Sequence, residues 1–217
     1  MILPHDVRLV ATNPSYSALP HLETQWTEHE FNIVVLTEDG KEIVAGQMLV
    51  HKLNVGAVWR NKQPLFLAFD DYSQEAYECY VKVFDKEGDM RKPFQDESYG
   101  QYEFLANDFH LLSWMEIDEA FKGNWLAGIV AQIYFENFAN GNDVVYSEVF
   151  PLQFSGALEE PYSRKFDGNF EECEMRLCAY FKKLGFRQIN RSSDFFFVVD
   201  DFLDKWKKVK AELAIDD

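Results

Sequence analysis

The sequence is short of positive charge. Its 217 residues hold 21 Lys and Arg against 37 Asp and Glu, a formal net charge of −16. That deficit argues against binding a nucleic-acid backbone, which needs a basic footprint, and against docking on an anionic membrane. Long apolar runs are missing too. Nothing approaches the roughly 18 apolar residues of a membrane span, and the start, MILPHDVRLV, lacks the charged and apolar regions of a secretory signal. Cysteine is scarce. Cys79, Cys173 and Cys178 make an odd number with no framework spacing, and they read as reduced thiols of a cytoplasmic protein. The histidines (His5, His21, His29, His51 and His110) form no HxxxH or HExxH pair, so no metal site is expected.

Core-forming material is plentiful. The hydrophobic fraction is 47%, and there are 20 Phe. The acidity therefore belongs to a folded chain rather than a disordered tail. The length fits one domain, and no repeat or linker divides it. Such a charge keeps a chain soluble and would suit a cationic substrate.

Residues 1–30, with Pro4, Pro14 and Pro20, read as an irregular arm or a short strand with loops. Phe31–Thr37 and Ile43–Leu53 are β-rich runs around Glu38-Asp39-Gly40 and predict a hairpin. Ser73–Lys86 has helical spacing with Ser73 as N-cap, and 87–103 reads as a loop. His110–Asp118 predicts a central strand and Asn124–Asn140 a helix. Val144–Phe154 predicts a second strand, bent or placed at an edge by Pro151. A loop at 155–170 precedes an amphipathic helix, Glu171–Leu184, closed by Gly185. Phe186–Asn190 and Phe195–Val199 read as short strands, and Asp204–Leu213 as a terminal helix.

Two motifs sit within this order. Lys122-Gly123-Asn124-Trp125-Leu126-Ala127 opens a helix directly after the strand ending Glu116-Ile117-Asp118. Tyr180-Phe181-Lys182-Lys183-Leu184-Gly185-Phe186 closes the later helix. A helix start offers unpaired N–H groups and a positive dipole end to a phosphate. Gly123 permits close backbone approach, and Lys122 adds a cation. In this order the two motifs resemble the pyrophosphate loop and the closing helix-to-strand element of the GNAT superfamily of acetyl-CoA-dependent N-acetyltransferases. Trp125 stands at the middle glycine's place. Phe181 stands where the family often has its general-acid tyrosine, with Tyr180 beside it.

The resemblance implies an α+β fold with a mixed, mostly antiparallel central sheet flanked by helices, its central strands splayed. It implies one domain over 1–217: a divergent half at 1–105, an acetyl-CoA-binding core at 106–200, and a C-terminal helix at 201–217. Ile117, Lys122, Gly123, Asn124, Trp125, Leu126 and Ala127 would bind the acetyl-CoA co-substrate, with no metal. The partners would be acetyl-CoA and an amine acceptor, small molecule or protein, and a homodimer is compatible. Transfer would be direct, in a ternary complex. Glu116 and Glu148 are the candidate bases, Tyr180 the candidate acid, and a backbone N–H of the central strand the oxyanion donor. Because coenzyme A is an anion, some of Lys122, Arg164, Lys165, Lys182 and Lys183 should gather at one mouth of the cleft. Two alternatives remain. One is a GNAT-like fold that binds an acyl-CoA or a protein without catalysis. The other is an acidic interaction protein that mimics nucleic-acid charge.

Overall fold

Gly40 makes the first tight turn. It adopts a φ of +77° and donates its N–H to Thr37 O at 2.8 Å. The strands on either side pair from Leu36↔Glu42 to Trp26↔Leu53. The expected hairpin is therefore present, and it is longer on its first side. The computed structural model describes residues 7–12, 25–37, 39–97, 108–122, 125–151, 169–189 and 192–213, with the side chains of 95–97 left aside.

In chain order the elements are β1 (Val7–Ala11), β2 (Trp26–Leu36), β3 (Glu42–Leu53), α1 (Val55–Arg60), α2 (Leu65–Asp70), α3 (Gln74–Val83), α4 (Lys92–Glu97), β4 (Phe109–Ile117), α5 (Leu126–Phe138), β5 (Val144–Glu148), α6 (Phe170–Lys183), β6 (Asp194–Val198) and α7 (Val199–Leu213). The strands form one mixed sheet in sequence order, β1 to β6. Every neighbouring pair is antiparallel except β4 and β5. Their parallel pairing requires a crossover, which α5 supplies.

Both faces of the sheet are covered. On one, α5 and α7 pack over Phe31, Ile33, Val50, Leu112, Val145, Phe195 and Phe197. On the other, α1 to α3 pack over Leu53, Phe109, Leu111, Tyr146, Phe196 and Val198. Helices on both faces explain why β6 is an unbroken apolar run: successive residues enter opposite cores.

Several sequence expectations need correction. The six-residue helices α1, α2 and α4 were not foreseen, because a helix that short shows little periodicity. The first two are set by local signals: Asn54 accepts from Ala57 N–H at 2.8 Å, and Pro64 precedes Leu65. Ser73 caps α3 as expected, accepting from Ala76 N–H at 3.1 Å. The second strand stops at Glu148 instead of reaching Phe154. The terminal helix starts at Val199, directly out of β6, with Asp200 and Asp201 favouring its first turn. Of the expected strand Phe186–Asn190, the described residues 186–189 contribute a single bridge, Gln188↔Phe195, and Asn190 lies outside the described residues.

Gly128 fixes how α7 meets α5. A Cβ there would lie 2.4 Å from the Trp206 ring, a ring that is 1% exposed and donates its N–H to Gln132 at 2.9 Å. Gly128→Ala gains about 1 kcal/mol of helix propensity but forces this indole out of place, at about 1–3 kcal/mol. The variant should melt several degrees below wild type by calorimetry; equal or higher melting would contradict this packing.

A buried polar seam crosses the α5 side of the core. His110 is fully buried, with Nδ1 3.1 Å from Tyr134 Oη and Nε2 3.1 Å from Asp143. His29 Nδ1 lies 2.9 Å from the same Tyr134 hydroxyl. Burial first, then the nearby His110, Lys52 and His51, lowers the His29 pKa from 6.5 to about 4. Burial also lowers that of His110, against the pull of Asp143. An unfolded histidine takes up a proton near pH 6.5 while the folded His29 resists until about 4, so protons favour unfolding across that window. Urea midpoints should fall as pH drops from 7 to 4, and fall less in His29→Gln.

Candidate functional site

The site begins where β4 and β5 part. They pair at only three positions, Phe109↔Val144, His110↔Val145 and Leu111↔Tyr146, although β4 continues to Ile117. Two features end the ladder. On the β3 side, Val50 faces Leu112 and Leu49 faces Trp114, so Ser113 is an extra residue, a β-bulge that bends the strand. On the β5 side, the Ser147 hydroxyl donates to the Leu112 carbonyl at 3.0 Å, replacing the next backbone pairing with a side chain. The Ser113 hydroxyl oxygen is buried without a hydrogen-bond partner. From Leu112 to Ile117, β4 therefore presents one edge with no strand beside it among the described residues. Met115 and Ile117 pack toward the α5 core. By strand alternation, Trp114 and Glu116 face the other side.

The helix α5 starts at the open end of this gap. The chain leaves β4 with Asp118 N–H bonded to Ala45 O at 2.8 Å, makes a short 3-10 turn at Glu119–Phe121 and enters the helix after Trp125. Trp125 is left-handed, with φ 58° and ψ 14°, and its side chain caps no helix N–H. A bulky residue in that conformation carries about 1–3 kcal/mol of strain. Trp125 stacks on Tyr180 of α6, with centroids 6.3 Å apart and planes at 28°. This contact brings the last turn of α6, with the exposed Lys182 and Lys183, beside the start of α5.

The closing motif of α6 has a complete local explanation. Gly185, at φ +98°, donates to Lys182 O, and Phe186 N–H donates to Phe181 O, both at 3.1 Å. The Phe181 and Phe186 rings lie 5.0 Å apart. This is a Schellman cap with its hydrophobic contact.

The expected site residues fall into two groups. Ile117 ends β4, Leu126 and Ala127 form the first turn of α5, and the exposed Lys122 lies just before Trp125. Ile117, Leu126 and Ala127 share one core cluster with Trp125 and Tyr180. Gly123, Asn124, Arg164 and Lys165 lie outside the described residues. Glu116 and Glu148 project from the opposite sheet face at different heights. Counted from Leu111↔Tyr146, Glu148 stands about 7 Å up its strand and Glu116 about 16 Å up its own. Glu148 is bound by Lys82 of α3 at 2.5 Å, and the same ammonium reaches Asp194 at 3.2 Å. Asp194 also accepts from the Tyr146 hydroxyl at 2.6 Å. Burial raises the pKa of Lys82's neighbour Tyr146 and raises that of Tyr180 to about 12. The Tyr180 hydroxyl thus keeps its proton at neutral pH.

Ser113, Ser147 and Lys82 were not anticipated from sequence. No motif marks a bulge or a side chain that ends a ladder. Lys82 reads in sequence as one more polar residue of α3. Among the described residues no group of three or more His, Cys, Asp or Glu is placed to hold a metal, and no helix is long and apolar enough to cross a membrane. None of the known protein-family models, curated proteins or solved structures matches the chain significantly.

The strain at Trp125 is testable. Trp125→Gly and Trp125→Ala lose the same stack on Tyr180, but only alanine keeps the left-handed penalty. In urea unfolding the glycine variant should be the more stable by about 1 kcal/mol. Alanine equal to glycine would place Trp125 in another conformation.

Proposed function

We propose that the chain transfers an acetyl group from acetyl-CoA to a primary amine, on a GNAT-like fold. One observation carries the reading: β4 and β5 separate after three pairs, and the gap opens toward the start of α5. An unpaired strand edge takes up an extended, amide-bearing chain as it would another strand. The pantetheine arm of coenzyme A is such a chain. Its pyrophosphate would lie at the start of α5, where Trp125 makes no side-chain cap, near Lys122 and the two lysines closing α6. The left-handed backbone at Trp125 also supports the reading, since this is the family's glycine position.

In this reading the amine nitrogen attacks the thioester carbonyl carbon, the oxyanion forms near the bulge at Ser113, and the C–S bond then breaks. The amine proton passes through ordered water to a carboxylate. Glu148 stands nearer the point of divergence but already receives Lys82. Glu116, with no side-chain partner among the described residues, is the freer acceptor. Tyr180 returns a proton to the leaving thiolate, a role that suits a hydroxyl kept protonated by burial. The chain's acidity would then serve the acceptor side, attracting a cationic amine.

A second reading, an acyl-CoA-binding module without catalysis, is favoured by the same stack: the indole of Trp125 lies against Tyr180, the proposed acid. Calorimetric titration of acetyl-CoA separates the readings. Wild type should bind, and Gly123→Asp, which adds an anion to the pyrophosphate loop, should bind at least tenfold more weakly, a difference of about 1.4 kcal/mol. Release of free thiol over a panel of primary amines then reports turnover. Binding without thiol release would select the second reading, and no binding at millimolar acetyl-CoA would exclude both.

A further inference from the structure

The far end of the β4–α5–β5 unit, opposite the proposed cleft, holds a cavity of about 460 Å³. That volume suits a small ligand. His29, Lys52, Asn54, Asp108, Asn137 and Phe138 are among the residues that line it, and the buried seam of Tyr134, His110 and Asp143 lies directly behind.

Proton positions along the seam follow from its geometry. Asp143 accepts the N–H groups of Asp108 at 3.0 Å and Asn140 at 2.9 Å, so it serves as a carboxylate acceptor. His110 Nε2 must then donate to it. With the imidazole neutral, His110 Nδ1 is an acceptor, and the Tyr134 hydroxyl donates to it. The Tyr134 oxygen in turn accepts from His29 Nδ1–H. Every donor points toward Asp143, and the chain of bonds leaves His29 Nε2 as a bare lone pair. No partner for that nitrogen exists among the described residues.

The surrounding groups narrow what it could receive. Lys52 is already engaged by Asp108 at 3.1 Å and by the Phe138 carbonyl at 3.0 Å, so among the described lining residues no uncommitted cation awaits a phosphate or carboxylate. Asp108 is engaged by Lys52, and Asp143 by the seam, so among the described lining residues no uncommitted carboxylate awaits an ammonium. Asn54 spends its oxygen on capping α1 and keeps an NH₂ group. Asn137 spends its NH₂ on Ile133 O at 2.7 Å and keeps an oxygen. Phe138 stacks on Tyr134 at 5.4 Å yet remains 37% exposed, offering an apolar aromatic face. Planar amides, one neutral imidazole acceptor and one aromatic face match a ligand that is neutral, rich in hydroxyls and apolar on one side.

We propose that this cavity is a second binding site, for a polyhydroxylated molecule of monosaccharide size, with His29 Nε2 accepting from a ligand hydroxyl and Phe138 covering a C–H face. The buried seam positions His29 by fixing which of its nitrogens carries the proton. The proposal is independent of acetyl-CoA binding.

Long-range ¹H–¹⁵N spectra of the histidine rings of the full chain test it, recorded during titration with glucose, galactose and mannose, and with putrescine and inorganic phosphate for comparison. Free protein should show His29 as the Nδ1–H tautomer, and at least one hexose should shift its Nε2 saturably. His29→Phe should weaken that binding about tenfold, the loss expected for one well-placed hydrogen bond. Tyr134→Phe should leave both His29 tautomers populated. Should that variant fail to fold, the exposed Phe138→Ala gives the second arm and should weaken hexose binding several-fold. Absence of a saturable shift with every hexose, saturation by putrescine or phosphate instead, or hexose binding unaffected by His29→Phe would each overturn the proposal.

Discussion

The molecule turns on three backbone pairings. β4 and β5 are parallel neighbours for Phe109, His110 and Leu111 and then separate. Parallel strands in the middle of a sheet normally stay paired, because unpaired backbone groups there cost free energy. Here the separation is built in. The bulge at Ser113 bends β4 away, and the Ser147 hydroxyl satisfies the Leu112 carbonyl that β5 leaves behind. The bulge and the Ser147 hydroxyl both fall where the ladder ends, at the gap on which the proposed acyl-transfer chemistry depends.

How much of this was legible in the sequence differs by element. Strands β4 and β6, helices α5 and α6, and the hairpin announce themselves through long apolar patterns and strong turn residues. The cap of α6 is legible down to Leu184-Gly185-Phe186, and for a purely local reason: glycine is needed at positive φ and two phenylalanines meet across it. That explanation suffices without a ligand, so this motif carries less weight for function than its sequence suggested. The helices α1, α2 and α4 escape because six residues show little period. The separation of the strands escapes for a different reason. It depends on which residues of β3 and β5 face Leu112, Ser113 and Trp114, and no single strand encodes its neighbour's register.

Trp125 shows how sequence and structure inform each other. Read as a letter, tryptophan gives no sign of an unusual backbone. In the fold the backbone there is left-handed, a conformation that glycine adopts most easily. The stack on Tyr180 offsets part of the strain. It also ties the start of α5 to the last turn of α6, which carries Lys182 and Lys183 in a chain whose cations are few.

The same β4–α5–β5 unit supports both proposed sites, one at each end. At its open end lies the start of α5, where Trp125 makes no side-chain cap, with a strand edge nearby. At its closed end lies the last turn of α5, where the chain passes through Asn140 and Asp143 into β5. There the strands are fully paired, and His110, one of the three paired residues of β4, has its ring held by Asp143 and Tyr134. The closed end thus combines backbone pairing with a satisfied polar network, while at the open end the pairing is interrupted. The seam joins α5 to β4 through Tyr134 and His110 and, through Asp143, to the residue that leads into β5.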